Sequence, residues 1–516
     1  MDRVHKISCI KSYEKHMIEA NKKYWAGAPQ ATQGSRWIYV HHRLVSEANF
    51  IVYEDIVTKG LQEQEQYPVI AVSVADSELA REIDDSFQIK EHHILGLERK
   101  RTWVNSARTC VVAWYYALLT YGKKEKLFRA KYRGVAWGDE MHDTIVYENG
   151  IKTHGEQQDC FDIDRKTYFR YVKNALSLID QSYALLKRKR PAYVIRSMEF
   201  QLDELFENVA KRMGAEVICC GGLGTTNIQI PSDRKPLISQ QVKQQIENYM
   251  EHHVREDAES ENLFVYQTND TDDHKGDLAK QLGLDPGKKN VFIMPHILTD
   301  VPRENYEHVV YHEFNEWLLE TLKIIREIPN VNWIVKDHPL SPLYEQSGYV
   351  RAVFEKNKTE NMYWCEKDTN PMRIKEIAHC VVTCAGDVGL EYWAYGIPTI
   401  TTSKGYYSEW GISYQMKTKK EYEETLRHID QIQPPSKETC EKARRCLTAF
   451  KHICETEDEL VHVFQDTFRE LGKSYKKGSV DELCYFNFCR RYMDFIKKNK
   501  VEDSCIFQLK NLLKLT

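Results

Sequence analysis

The apolar residues of this chain fall into short runs separated by amphipathic stretches, and the alternation is cleanest in the C-terminal half. Residues 290–295 (NVFIMP), 331–335 (VNWIV), 361–365 (NMYWC), 380–384 (CVVTC) and 397–402 (IPTITT) are runs suited to buried strands. Between them, 307–327 places Val310, Phe314, Leu318 and Leu322 at helical spacing, and 370–378 and 388–395 read as further helices. Strands alternating with helices predict a parallel sheet with right-handed crossovers. The N-terminal half repeats the pattern with strands at 37–41, 68–74, 192–196 and 215–219. A helix at 200–213 carries Leu202, Leu205, Val209 and Met213 on one face. The polar stretch 251–289 reads as a linker or cleft-spanning loop, and from 436 onward the pattern is helical only. The expected architecture is two α/β domains, at 1–265 and 275–430, followed by a helical segment at 431–516 that packs on or across them.

In open parallel sheets, ligands sit beyond the carboxyl ends of the strands, so the residues just after each strand are the candidates for chemistry. Lys336-Asp337-His338-Pro339 follows VNWIV directly. There an imidazole at the sheet rim can donate to a phosphate oxygen, or can simply hold a turn. Thr383-Cys384-Ala385-Gly386-Asp387-Val388-Gly389-Leu390-Glu391 passes from a strand into a helix. Free amides approached through Gly386 and Gly389 suit a nucleotide phosphate, and Glu391 suits ribose hydroxyls. Asp387 is equally a good N-cap, which would leave an ordinary helix start. His296, in PHILTD with Asp300, follows a third strand. Three such positions on neighbouring strand ends point to a nucleotide-binding domain.

A length of 516 residues exceeds what one core supports. A net charge of −4 gives no global pull toward nucleic acid. The fourteen cysteines are scattered, and no apolar leader opens the chain, so they read as reduced and the compartment as cytosolic. The longest apolar run, Cys110–Tyr121, is too short to span a bilayer and reads as a buried helix. Any membrane contact is then peripheral, at the inner face of the cytoplasmic membrane. Basic clusters at 187–190 and 123–133 suit an anionic acceptor or anionic lipid, and equally the solvated faces of ordinary helices.

Taken together, PHILTD, VNWIVKDHP and VVTCAGDVGLEYWAYGIPTITTSKGYYSEWG, over about residues 290–412, resemble the capsule-polysaccharide and surface-carbohydrate transferases of bacteria. That broad family includes Kdo transferases and is similar to polysialyltransferases and CDP-glycerol polymerases. The resemblance implies a GT-B fold, two Rossmann-like domains facing a cleft. It also implies a nucleotide-sugar donor, CMP-linked and Kdo- or sialic-acid-like, with His338 near its phosphate and Glu391 near its ribose. His296, Lys336, Thr383, Gly386, Asp387 and Gly389 complete the implied donor site. The acceptor would be a glycan or lipid-linked glycan, with no separate cofactor and no obligatory metal. Where the family commonly has Ser-Ser or Ser-Thr, this chain has Gly386-Asp387, so hydroxyl donors expected there are missing.

In the N-terminal half, GDEMHD resembles more faintly a stretch preceding the acceptor region, with Asp139, His142 or Asp143 as general base. A solvated acidic turn is the plain alternative. Gly221-Gly222-Leu223-Gly224 lacks the following Lys-Ser/Thr of a P-loop and reads as a loop. No CxxC or zincin spacing occurs. Transfer of a polyol phosphate from a CDP-linked donor, nucleotide-sugar epimerisation and a catalytically silent assembly subunit remain competing readings.

Overall fold

Each half of the chain builds a six-stranded sheet, and the two sheets share one strand order. The computed structural model describes residues 3–508 except 29–30, 32–33, 97–102, 150–162, 198–200, 221–225, 230–239, 253–262, 265–276, 300–305, 343, 345, 454–457 and 476–482. The first sheet holds β1 (Trp37–His42), β2 (Val69–Ser73), β3 (His92–Ile94), β6 (Pro191–Arg196), β7 (Glu216–Cys220) and β8 (Thr226–Gln229), with β4 (Lys131–Tyr132) and β5 (Val135–Ala136) as a separate hairpin. The second holds β9 (Lys289–Ile293), β11 (Val331–Lys336), β12 (Met362–Cys365), β13 (Cys380–Thr383), β14 (Thr399–Thr401) and β16 (Tyr414–Gln415). A two-stranded ribbon joins β10 (Tyr306–His308) to β15 (Ser403–Gly405). The orders are β3-β2-β1-β6-β7-β8 and β12-β11-β9-β13-β14-β16, and within the two sheets only β8 runs antiparallel to its neighbour. Counted within its own sheet, each reads 3-2-1-4-5-6, the doubly wound Rossmann order. That order reverses between β1 and β6 in one sheet and between β9 and β13 in the other.

The second sheet is legible because helices cover both its faces, so its strands read as near-continuous apolar runs. All six residues of β11 are buried. The helix Phe314–Ile325 lays Phe314, Trp317, Leu318, Leu322 and Ile325 into the same core as Val291, Trp333 and Val350. It starts at Phe314 and not at 307, because Tyr306–His308 is taken up in pairing with Ser403–Gly405. Asn370 caps the helix Pro371–Ile377 by accepting from the Met372 amide, with proline in the first turn, where its missing N–H costs nothing.

The chain divides into two units, one of Met1–Glu148, Phe161–Gln241 and Cys454–Thr516, the other centred on Val242–Ile453. The division falls at 241/242 instead of within 265–275. The helix Gln240–His252 accounts for this: Arg445 donates to the Met250 carbonyl at 2.7 Å and the Trp410 indole donates to Glu247 at 3.2 Å. The 431–516 segment is likewise shared out. Lys437–Ile453 stays with the second unit, where Arg444 donates to the Ala394 carbonyl at 2.8 Å. Glu459–Tyr475 and Leu483–Lys498 return to the first unit, and Phe464, Phe488 and Tyr492 share a core with Met17, Trp25 and Ile56.

The apolar run at Cys110–Tyr121 forms part of the helix Trp103–Thr120, but this helix is not buried. Only one side, including Ala113 and Thr120, is covered, while Val111, Trp114, Tyr115 and Leu118 face solvent. A segment apolar all round carries no periodicity to say which arc the fold will cover. Among the described residues no helix is long and apolar enough to cross a membrane.

Candidate active site

The reversal of strand order in the second sheet opens a cavity of about 290 Å³ at the carboxyl ends of β9, β11 and β13. Three strands deliver its chemistry: His296 after β9, Lys336 and His338 at the end of β11, and Thr383, Gly386 and Asp387 at and after β13. Glu391, buried on the helix Val388–Ala394, lines the same space. The two imidazole centroids are 6.1 Å apart and tilted by 28°, and His296 stacks on Phe314 at 4.4 Å. A Cβ added to Gly386 would stand 3.4 Å from Thr383 Oγ1 and 3.9 Å from the His296 ring, so these three groups are immediate neighbours.

The His338 turn is tied by Asp337. Its Oδ1 accepts from the His338 amide at 2.7 Å, and its Oδ2 accepts from the Ser341 hydroxyl at 3.0 Å. The Leu340 amide donates to His338 Nδ1 at 3.1 Å. Since Nδ1 accepts, the ring proton sits on Nε2, which makes His338 a neutral donor. Burial, helped by nearby His296 and Lys336, lowers its pKa to about 3, and burial lowers that of His296 to about 4. Lys336 is buried, its ammonium donates to the Lys367 carbonyl at 2.8 Å, and burial lowers its pKa. Thr383 is 1% exposed, and its hydroxyl has no hydrogen-bond partner.

Two residues play other parts than expected. Gly389 does not line the cavity. A Cβ there would lie 2.3 Å from the Tyr407 hydroxyl, which donates to the Gly386 carbonyl at 2.8 Å, so this glycine makes room for the clamp on the turn. Asp387 makes no side-chain cap. It sits in helical conformation with its carboxylate accepting from the Tyr406 hydroxyl at 3.3 Å, so it does not compete for the amides at the helix start. Tyr407 lies only 21 residues beyond Gly386, but nothing in its local pattern marks it as the partner of that turn.

Residues 229–433, less than half of the 516-residue chain, match the model of a family described as capsule polysaccharide biosynthesis protein. This segment is similar to that family. No curated protein matches the chain. Solved structures similar to it include the UDP-GlcNAc 2-epimerase of Neisseria meningitidis bound to UDP-GlcNAc, at 11% identity, over 81% of this chain and 98% of that one, with a TM-score of 0.24. The beta Kdo 2,4 transferase KpsC of Thermosulfurimonas dismutans aligns at 10% identity over 50% and 79%, with a TM-score of 0.27. The wall teichoic acid polymerase TagF aligns at 12% identity over 91% and 100%, with a TM-score of 0.20. Likeness at this distance carries no assignment of substrate to this chain. The cavity lies wholly within the capsule-synthesis segment.

The remaining candidates lie outside that segment or outside the described residues. Asp300 and Gly221–Gly224 are among the residues not described. Asp139, His142 and Asp143 belong to the helix Gly138–Asn149 in the first unit, and they form no solvated turn. His142 is wholly buried, against Phe128 at 5.0 Å and Asp143 at 3.3 Å, and Asp143 is 4% exposed. Both are closed to an acceptor in this conformation, which leaves Asp139 as the partly exposed member.

The first unit has a polar centre of its own, also at the reversal of its sheet. His41 at the end of β1 meets Glu207 at 3.0 Å, Arg196 at the end of β6 meets the other Glu207 oxygen at 3.0 Å, and Arg43 stands 3.4 Å away. Burial alone would raise the Glu207 carboxyl, but the two guanidinium groups and His41 hold its pKa below the ordinary value. The Arg43 guanidinium is buried and makes no hydrogen bond. Beside this cluster in sequence, His42 bridges Glu54 at 2.5 Å and Asp84 at 2.7 Å. Burial opposes its charge, yet Asp84 and Glu54 outweigh that and raise its pKa well above the usual value. His42, Asp55 and Asp84 gather donor atoms within 4.8 Å of one another, a grouping of the kind that can hold a metal. Here the protonated imidazole already supplies the balancing positive charge.

Proposed function

We propose that the chain is a glycosyltransferase that moves a sugar from a nucleotide-activated donor, CMP-linked and Kdo- or sialic-acid-like, to a surface-glycan acceptor. The cavity of the capsule-synthesis segment holds the donor. The observation that carries this reading is the Thr383 hydroxyl, buried without a partner on the wall of a cavity that also presents a neutral His338 donor. A phosphate oxygen bound in the cavity would give that hydroxyl a partner. Thr383 also answers the missing serines at 386–387, because it offers a hydroxyl from the strand end instead of from the turn.

In this reading Glu391 accepts from ribose hydroxyls, and Lys336 and His338 meet the phosphate charge without an obligatory metal. As the bond between the sugar and the phosphate oxygen breaks, negative charge grows on that oxygen. A fixed Nε2–H donor interacts more strongly with the transition state than with the intact donor, so His338 acts on turnover. Its depressed pKa keeps it a neutral donor throughout the physiological range.

The test begins with thermal-shift and calorimetric titration against CMP, CDP, UDP and GDP, of which a cytidine nucleotide should bind and raise the melting temperature. Binding of none would favour a silent assembly subunit. With the donor identified, His338→Ala should lower kcat on the order of 100-fold, the loss typical of one such donor, while the variant still folds and melts cooperatively. Near-normal kcat would defeat the assignment.

A further inference from the structure

Eight large apolar side chains are well exposed among the described residues, and five of them sit on the single helix Trp103–Thr120. Val111 (71%), Trp114 (61%), Tyr115 (60%) and Leu118 (58%) follow the i, i+3, i+4, i+7 spacing, with Leu119 (38%) at their edge. They make a convex apolar ridge about 10 Å long, at 1.5 Å of rise per residue. The opposite side of the helix is anchored: Ala113 is wholly buried and the Thr120 hydroxyl accepts from Tyr168 at 2.8 Å. The helix therefore cannot roll to hide the ridge without breaking packed contacts.

The chain that flanks the ridge is predominantly basic. Residues 107–133 hold seven basic side chains and one acidic one, Glu125. Arg108 precedes the ridge, and Lys123, Lys126 and Arg129 follow it, all exposed. The Tyr116 hydroxyl donates to the Lys131 carbonyl at 2.7 Å, which ties the β4–β5 hairpin alongside the helix. Of the basic groups near that hairpin, Arg133 is engaged by Asp180 at 2.6 Å.

We infer that this helix docks the protein on an anionic lipid bilayer, with Val111, Trp114, Tyr115 and Leu118 in the headgroup–acyl boundary and the basic rim on lipid phosphates. Tryptophan and tyrosine suit that boundary, since each pairs an apolar body with a polar tip. Basic residues beside an apolar helical face supply the electrostatic half of such binding. A second copy of the chain fits the ridge poorly. Two-fold pairing would set the basic rims against each other, and one ridge of five residues falls far short of the roughly 20–30 residues a side of a stable interface.

The experiment is flotation of the full chain with vesicles of neutral phosphatidylcholine alone or with about one-third phosphatidylglycerol. The protein should float with the anionic vesicles only, less so as salt rises. Lys123→Ala/Lys126→Ala should weaken partition roughly tenfold or more, at about one near-surface charge each. Trp114→Ser/Leu118→Ser should abolish flotation while the melting temperature holds, because both side chains are already in water. No flotation of the wild type overturns the inference. So does flotation that survives the Trp114/Leu118 pair, and so does self-association in light scattering that this pair abolishes, which would make a second copy the occupant.

Discussion

Thr383→Val separates what the cavity costs the empty protein from what it does for a ligand. The side chain is 1% exposed and its hydroxyl makes no hydrogen bond, and a buried group left unpaired costs about 1–3 kcal/mol. Valine keeps the shape and removes the unpaired group, so the ligand-free variant should gain about 1–2 kcal/mol. For a unit of this size each kcal/mol raises the melting temperature by about 2–4 °C. If the hydroxyl donates to a charged phosphate when the nucleotide binds, the variant forfeits a bond worth about 1.5–3 kcal/mol, or roughly 10- to 100-fold in Kd. Stability and affinity should thus move in opposite directions. Calorimetric melting of the empty protein and titration with its nucleotide read the two arms. Thr383→Ser should keep affinity while losing stability with its methyl group. A Thr383→Val protein that melts lower would show that the hydroxyl was satisfied all along, and one that binds as tightly as wild type would remove the threonine from the donor site.

Acid should weaken the second unit through its two neutral histidines. Their folded pKa values, about 4 for His296 and about 3 for His338, lie below the ordinary value near 6.5, so the unfolded chain takes up protons that the folded cavity refuses. Their contribution is present above about pH 6.5 and is lost as pH falls toward 4, so melting temperatures between pH 7 and 5 should drop less steeply in His338→Asn than in wild type. Gly389→Ala should destabilise by about 1–3 kcal/mol, because its Cβ would meet the Tyr407 hydroxyl at 2.3 Å. Tyr407→Phe in the same chain should restore part of the loss in a melting curve, and full stability of the single variant would show that the clamp yields freely.

The second sheet and its cavity were legible in the sequence because the evidence was local. Strands buried on both faces read as unbroken apolar runs, and the residue after each strand is fixed to the rim by chain direction. His338 is held by Asp337 and Leu340, both within two residues. The first unit was less legible because its polar centre is assembled from afar. Glu207 lies 166 residues from its partner His41, and an isolated Arg43 or Arg196 carries no mark of its companions. The exposed ridge was missed for a different reason: in CVVAWYYALLTY every position is acceptable to a core, so hydropathy alone could not say which arc the neighbours would leave bare.

The return of the last helices has a consequence for how the molecule is made. Arg3–Tyr24 and Leu483–Lys498 pack in one core, where the Tyr492 hydroxyl donates to Asn21 at 2.8 Å, so the first unit is sewn shut by residues hundreds of positions apart. The second unit is drawn chiefly from the continuous stretch 242–453. On the ribosome the order of completion should therefore run against the order of the chain. The later-encoded unit can close as soon as residue 453 has emerged, while the earlier one waits with an open seam for its final helices. A nascent chain with residues up to about 460 already outside the ribosome would then hold a finished second unit and an unfinished first one, and a C-terminal truncation would damage the unit where synthesis began.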